Sequence, residues 1–100
     1  MALSGLKFLL VSARMEKYVG ISAVLHEERF CKIIEETIPP RAVRTNTYLK
    51  QDTPAFFEFS TDLLSNEAQD ANTLEELKPL VEAALSESGY TEVKTEIVQR

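Results

Sequence analysis

The stretch from Thr73 to Gly89 leaves this chain the least freedom. Thr73 followed three residues later by Glu76 has the form of a capping box, in which hydroxyl and carboxylate satisfy two orphan amides at a helix start. Leu74, Leu77, Val81, Ala84 and Leu85 recur at steps of three and four, while Glu75, Glu76, Lys78, Glu82 and Glu87 fall on the other arc. Gly89 can close the helix in the left-handed conformation, and the Tyr90-Thr91-Glu92-Val93 run behind it changes to a period of two. The spacing predicts a helix over 73–89. Pro79 inside it cannot donate to the carbonyl of Glu75, so a kink, or a first turn separate from a helix beginning at Pro79, is expected. Burying Leu74, Leu77, Val81 and Leu85 contributes roughly 1.5 to 3 kcal/mol each before entropy is charged. A stripe of that strength must dock on another layer.

That layer is predicted to be a sheet. Leu6 to Ala13 is apolar on both alternating faces, with Leu6, Phe8 and Leu10 on one and Leu9, Val11 and Ala13 on the other, as in a strand inside a sheet. A helical stripe of Leu6, Leu9, Leu10 and Ala13 is the competing reading. In Lys17 to Leu25, Val19, Ile21, Ala23 and Leu25 alternate as a second strand folding back from a turn at Arg14 to Glu16 would. The same residues equally suit an early turn of the next helix. His26 to Ile38 reads as that helix: Phe30, Cys31, Ile34 and Ile38 share an arc with Ile33 beside it, and Pro39-Pro40 ends it.

Arg41 to Gln51 alternates Val43, Thr45, Thr47 and Leu49 against Arg44, Asn46, Tyr48 and Lys50, the pattern of a half-exposed strand. Gln51-Asp52-Thr53-Pro54 is turn chemistry, and Ala55 to Phe59 returns as a second strand, making a hairpin. Ser60 to Asn72 is polar and mixed and reads as a connection, with a short helical turn around Glu67 to Ala71. Tyr90 to Arg100 alternates again as an edge-like final strand. With Lys17 to Leu25 counted into the helix, the order is βαββαβ, the ferredoxin-like α+β sandwich: an antiparallel sheet with two helices on one face. The other reading adds an extra N-terminal strand. First and third strands are expected inside the sheet, where the two most apolar strands would then stand.

The totals bound the rest. At 100 residues, with 44% apolar and 27% charged, the chain is expected to form one folded domain over 1–100. A net charge of −5 disfavours nucleic acid and anionic membranes as partners. One cysteine makes no internal disulfide, and no apolar run nears the roughly 18 residues that span a bilayer. The apolar segment near the start, broken by Lys7, is too short for a secretory leader. A cytoplasmic protein that does not enter membranes is expected.

Chemistry is scarce. His26 and Cys31 stand about 140° apart on a helix, so they share no face for a metal or a Cys-His nucleophile. The doublets Glu27-Glu28, Glu35-Glu36 and Glu75-Glu76 fall on solvated helix faces. Gly5, Gly20 and Gly89 are isolated, which excludes a glycine-rich phosphate loop. No cofactor, metal or catalytic residue is assigned.

One surface rises above this background. If Phe57 and Phe59 face the helices, Phe56 points to the open side of the sheet, where the hairpin would bring it near Tyr48, with Arg44 and Lys50 alongside. The leading expectation is a non-catalytic interaction or regulatory module that binds a protein partner, or pairs as a homodimer, through Arg44, Tyr48, Lys50 and Phe56. Ala55-Phe56-Phe57-Glu58-Phe59 also resembles the end of the RNP1 segment of RNA-recognition-motif domains, which sets aromatics on a third strand. The likeness covers five residues; Pro54 and Thr53 depart from the motif, and Phe8-Leu9-Leu10 departs from RNP2. It implies single-stranded nucleic acid stacked on Tyr48 and Phe56. A third expectation is a small-molecule enzyme of dimeric α+β barrel type with His26 or a sheet carboxylate as acid-base group, which needs a pocket between helix and sheet. A covering of Phe56 by Met1 to Gly5 would leave no binding surface at all.

Overall fold

A computed structural model of the chain describes residues 7–17, 20–38, 42–53, 55–65 and 71–99. Its elements run β1 (Lys7–Glu16), α1 (Ala23–Thr37), β2 (Ala42–Thr53), β3 (Phe56–Ser65), α2 (Ala71–Glu87) and β4 (Thr91–Gln99). The fold is α+β, with the strands pairing antiparallel in the order β2-β3-β1-β4. β1 and β3 lie inside, as their apolar character predicts, and the more polar β2 and β4 form the edges.

Alternation sets what is buried. Leu9, Val11, Ala13 and Met15 of β1 and Phe57, Phe59 and Leu63 of β3 point to one side, where both helices close over them. α1 contributes His26, Phe30 and Ile34, spaced four apart on one stripe. From α2 come Leu74, Leu77, Val81 and Leu85, the stripe predicted from the sequence. An aromatic cluster joins the layers: Phe30 stacks on Phe59 at 5.0 Å, and Tyr90 meets the two rings edge-on at 5.6 and 5.5 Å. Such pairs add about 0.5 to 1.5 kcal/mol beyond their buried area. No helix among the described residues is long and apolar enough to cross a membrane.

Several boundaries differ from expectation, each for a local reason. The predicted turn at Arg14 to Glu16 is strand, because Met15 continues the buried alternation of β1. No extra strand follows among the described residues. Gly20 takes φ +87°, and the Ser22 hydroxyl accepts the Leu25 amide at 3.3 Å, so α1 begins at Ala23. Tyr18 and Val19 of that stretch lie outside the described residues. β3 runs to Ser65 rather than stopping at Phe59, since Thr61 and Leu63 extend the buried face.

α2 starts at Ala71, which puts Thr73 inside the first turn and not at the cap. It passes Pro79 as one helix, so no separate first turn forms. At its end the Tyr90 amide donates to Leu85 O and the Gly89 amide to Ser86 O, with Gly89 at φ +93°, the left-handed closure expected there. The predicted covering segment Met1 to Gly5, the stop at Pro39-Pro40, the turn residue Pro54 and most of the Glu67 turn lie outside the described residues.

Candidate functional site: the open face of the sheet

The alternate residues of each strand point away from the helices, and the strand registers set them side by side in rows. Val43, Leu64, Phe8 and Val98 form one row across β2, β3, β1 and β4. Every member is apolar. Next come Asp62, Leu10 and Glu96, then Tyr48, Ser60, Ser12 and Lys94. Lys50, Glu58 and Arg14 make the fourth row; on β4 the register sets Thr91 opposite Arg14, and Glu92 next to it reaches Arg14 through an ion pair. Phe56 follows beside Glu16. One end of the face is therefore apolar and the other carries alternating charge.

Two side chains organise the charged end. Arg14 Nη1 donates to Glu92 Oε2 at 2.8 Å, and its guanidinium lies 4.8 Å from the centre of the Phe56 ring. The hydrogen bond from Arg14, then its charge, holds the Glu92 carboxyl below the usual carboxylate range. Glu92 reaches Arg14 at a register shift between β1 and β4, with its own backbone at φ +49°. An open trough of about 230 Å³ runs between Ser12, Arg14, Glu58, Glu92 and Lys94.

The four residues singled out from the sequence do not form one cluster. Lys50 and Tyr48 are on the open face as expected, and Tyr48 is 63% exposed. Phe56 is also there, but Tyr48 stands opposite Ser60, four residues along β3 from Phe56, or roughly 13 Å at the strand rise. Lys50 and Glu58 fill the gap. The two aromatics are not neighbours.

Arg44 is on the wrong side altogether. The pairing of β2 with β3 shifts by one residue between Arg44 and Thr47, so Arg44 stands opposite Leu63 of the helix-covered face. There its Nε and Nη2 donate to Glu35 Oε1 of α1 at 3.0 and 2.8 Å, and its Nη1 donates to Thr47 Oγ1 at 2.6 Å. Hydroxyls hold the bulge: buried Thr61 donates to Asn46 O at 2.6 Å, and Thr45 donates to Asp62 O at 3.2 Å. The Arg44-Thr45-Asn46-Thr47 run supplies those groups, which is the only hint of the bulge in the sequence.

Sequence reasoning also missed Arg14, Glu58, Glu92 and Lys94: Arg14 was assigned to a turn that is in fact strand, and the other three were read as the polar side of their own strands. Only the strand order gathers them. They leave Lys50, Arg14 and Lys94 interleaved with Glu58, Glu92 and Glu96, so the face presents no continuous positive track for phosphates.

The remaining candidates lie elsewhere. His26 is buried in the first turn of α1, 5.0 Å from the Phe57 ring. Burial first, then Arg29 and Lys17, lower its pKa, so the imidazole is neutral near pH 7. Cys31 is half-buried, not core, and its Sγ sits 3.7 Å from Thr47 Oγ1 in a groove of about 420 Å³ between α1 and β2. No group of three or more His, Cys, Asp or Glu among the described residues is placed to hold a metal ion. The Tyr90 hydroxyl, raised in pKa chiefly by burial, has no hydrogen-bond partner among the described residues. No protein-family model matches this chain, and no curated protein matches it either.

Proposed function

We propose that the chain is a small interaction or regulatory module, built as one ferredoxin-like βαββαβ domain, that acts without catalysis of its own by burying its open sheet face against a protein. The observation that carries this reading is the apolar row of Val43, Leu64, Phe8 and Val98, which crosses all four strands on the side away from the helices. Apolar side chains gathered on a sheet face are what a partner surface can take out of water. Tyr48, far more exposed than the buried aromatics of the same sheet, supplies the kind of ring that anchors interfaces. The partner surface that fits is apolar at one end and of mixed charge at the other. A lone Cys31 with no second cysteine suits a reducing, cytoplasmic setting.

A photo-reactive residue placed at Tyr48, with a second variant labelled at Leu80 on the exposed side of α2, tests this in the cells that make the protein. Covalent protein adducts are expected from position 48, lost on adding excess unlabelled protein, and not from position 80. Equal adducts at both positions, or none at 48, overturn the reading.

A further inference from the structure

We infer that the surface this face takes is a second copy of the chain, related by a two-fold axis that lies in the interface parallel to the strands. The inference rests on the open face being the binding surface. Rotation about that axis keeps each row at its own level and reverses its left-to-right order. The strand register sets Thr91 opposite Arg14 on β4, and Glu92 next to it reaches Arg14 by its ion pair, so the charged side chains across β2, β3, β1 and β4 run Lys50, Glu58, Arg14, Glu92. Their signs are plus, minus, plus, minus, so the reversed row is their complement. Lys50 of each copy faces Glu92 of the other, and Glu58 faces Arg14.

Two other rows agree. The apolar row meets itself, with Val43 against Val98 and Leu64 against Phe8. In the row of Tyr48, Ser60, Ser12 and Lys94, each Lys94 comes over the exposed Tyr48 ring of the other copy and serine meets serine. Two rows lack such a match: that of Asp62, Leu10 and Glu96, and that of Phe56 and Glu16, where each ring meets a carboxylate. An in-plane axis perpendicular to the strands does worse: it sets Lys50, Glu58, Arg14 and Glu92 on Val43, Leu64, Phe8 and Val98, stripping water from charges without pairing them. Sheets stacked with their strands aligned also follow the common packing angle of about 30°.

Size fits a reversible pair. Four strands about 4.8 Å apart and roughly 30 Å long present on the order of 600 Å² per copy. That is about 1,200 Å² in total, the lower bound for a specific stable interface. The dimer should form and dissociate readily.

Sedimentation equilibrium on wild type, Lys50→Glu, Glu92→Lys and an equimolar mixture of the two variants decides it, with far-UV circular dichroism as the check on folding. The wild type is expected to dimerise. Each variant alone sets like charges against each other at two symmetric places and should weaken dimerisation about tenfold or more. In the mixture both contacts become Glu against Lys, and association should return to within about threefold of wild type. Weakened single variants that the mixture does not rescue overturn the pairing. A wild-type dimer indifferent to both changes overturns the inference and leaves the open-face reading to the cross-linking result. A wild-type monomer up to millimolar concentration overturns self-association alone, leaving the open-face reading to the cross-linking result.

Discussion

The two faces of the sheet are built from the same strands and obey different rules. On the helix side, Leu9, Val11, Phe59 and Leu63 are fully buried, and the residues that face them from α1 and α2 are as well. Between those positions, Phe8, Leu10, Ser12 and Arg14 of β1 are only half-buried, and they run from apolar through hydroxyl to charged along the strand. Packing alone accounts for the first set, since an interior at crystal-like density rejects polar or missing volume. It does not account for the second. The apolar row on the open side lies away from the helix core, and the charges beyond it meet one another and Phe56 rather than the helices.

The largest break in this contrast should come from Phe59→Ala. The ring is fully buried and contacts Phe30, Phe57 and Tyr90, so truncation removes an aromatic at the centre of the core. We expect a loss of about 3 to 5 kcal/mol in urea unfolding. Tyr48→Ala on the other face should stay within about 0.5 kcal/mol of wild type. Comparable losses at the two positions would mean that the open face is part of the fold's own core.

The same contrast explains what could be read in advance. Periodicity reports burial against the chain's own helices, so the α2 stripe, the inward Phe57 and Phe59 and the outward Phe56 were legible from residue spacing. Thr61 hid the second half of β3, because a buried threonine whose hydroxyl donates to Asn46 O reads as a loop residue until its acceptor is known. Arg44 was misplaced by one bulge, since a single extra residue in β2 flips every side chain beyond it. The rows of the open face depend on which strands are neighbours. No one strand's sequence contains that information, which is why Glu92 and Lys94 went unnoticed, while Arg14 was lost to the turn assigned at Arg14 to Glu16.

A titration sharpens the comparison from the helix side. His26 is buried there, and burial, Arg29 and Lys17 place its folded pKa below the unfolded value near 6.5. Between the two values the unfolded chain binds the proton and the folded one does not. Stability should therefore hold above about pH 6.5 and decline as pH falls below it, with a slope of at most about 1.4 kcal/mol per pH unit from this group. Urea midpoints measured across that range, on wild type and His26→Leu, should differ in this slope. The same slope in both proteins would show that His26 is not held neutral by the core.

The smallest effect concerns the residue that changed sides. Arg44 reaches Glu35 of α1 with two nitrogens, while its side chain and that of Glu35 stay 25% and 54% exposed. Water screens such a pair, so a double-mutant cycle of Arg44→Ala and Glu35→Ala should give a coupling of only about 0.2 to 1 kcal/mol. Its presence matters more than its size. A positive coupling places Arg44 against α1, and the bulge in β2 with it, so Arg44→Ala should leave association through the open face unchanged. No coupling, together with weakened association, would return Arg44 to the open face beside Tyr48 and Lys50. A fourth cation on that side, beside Lys50, Arg14 and Lys94, would upset the alternation of charge on which a self-complementary face depends.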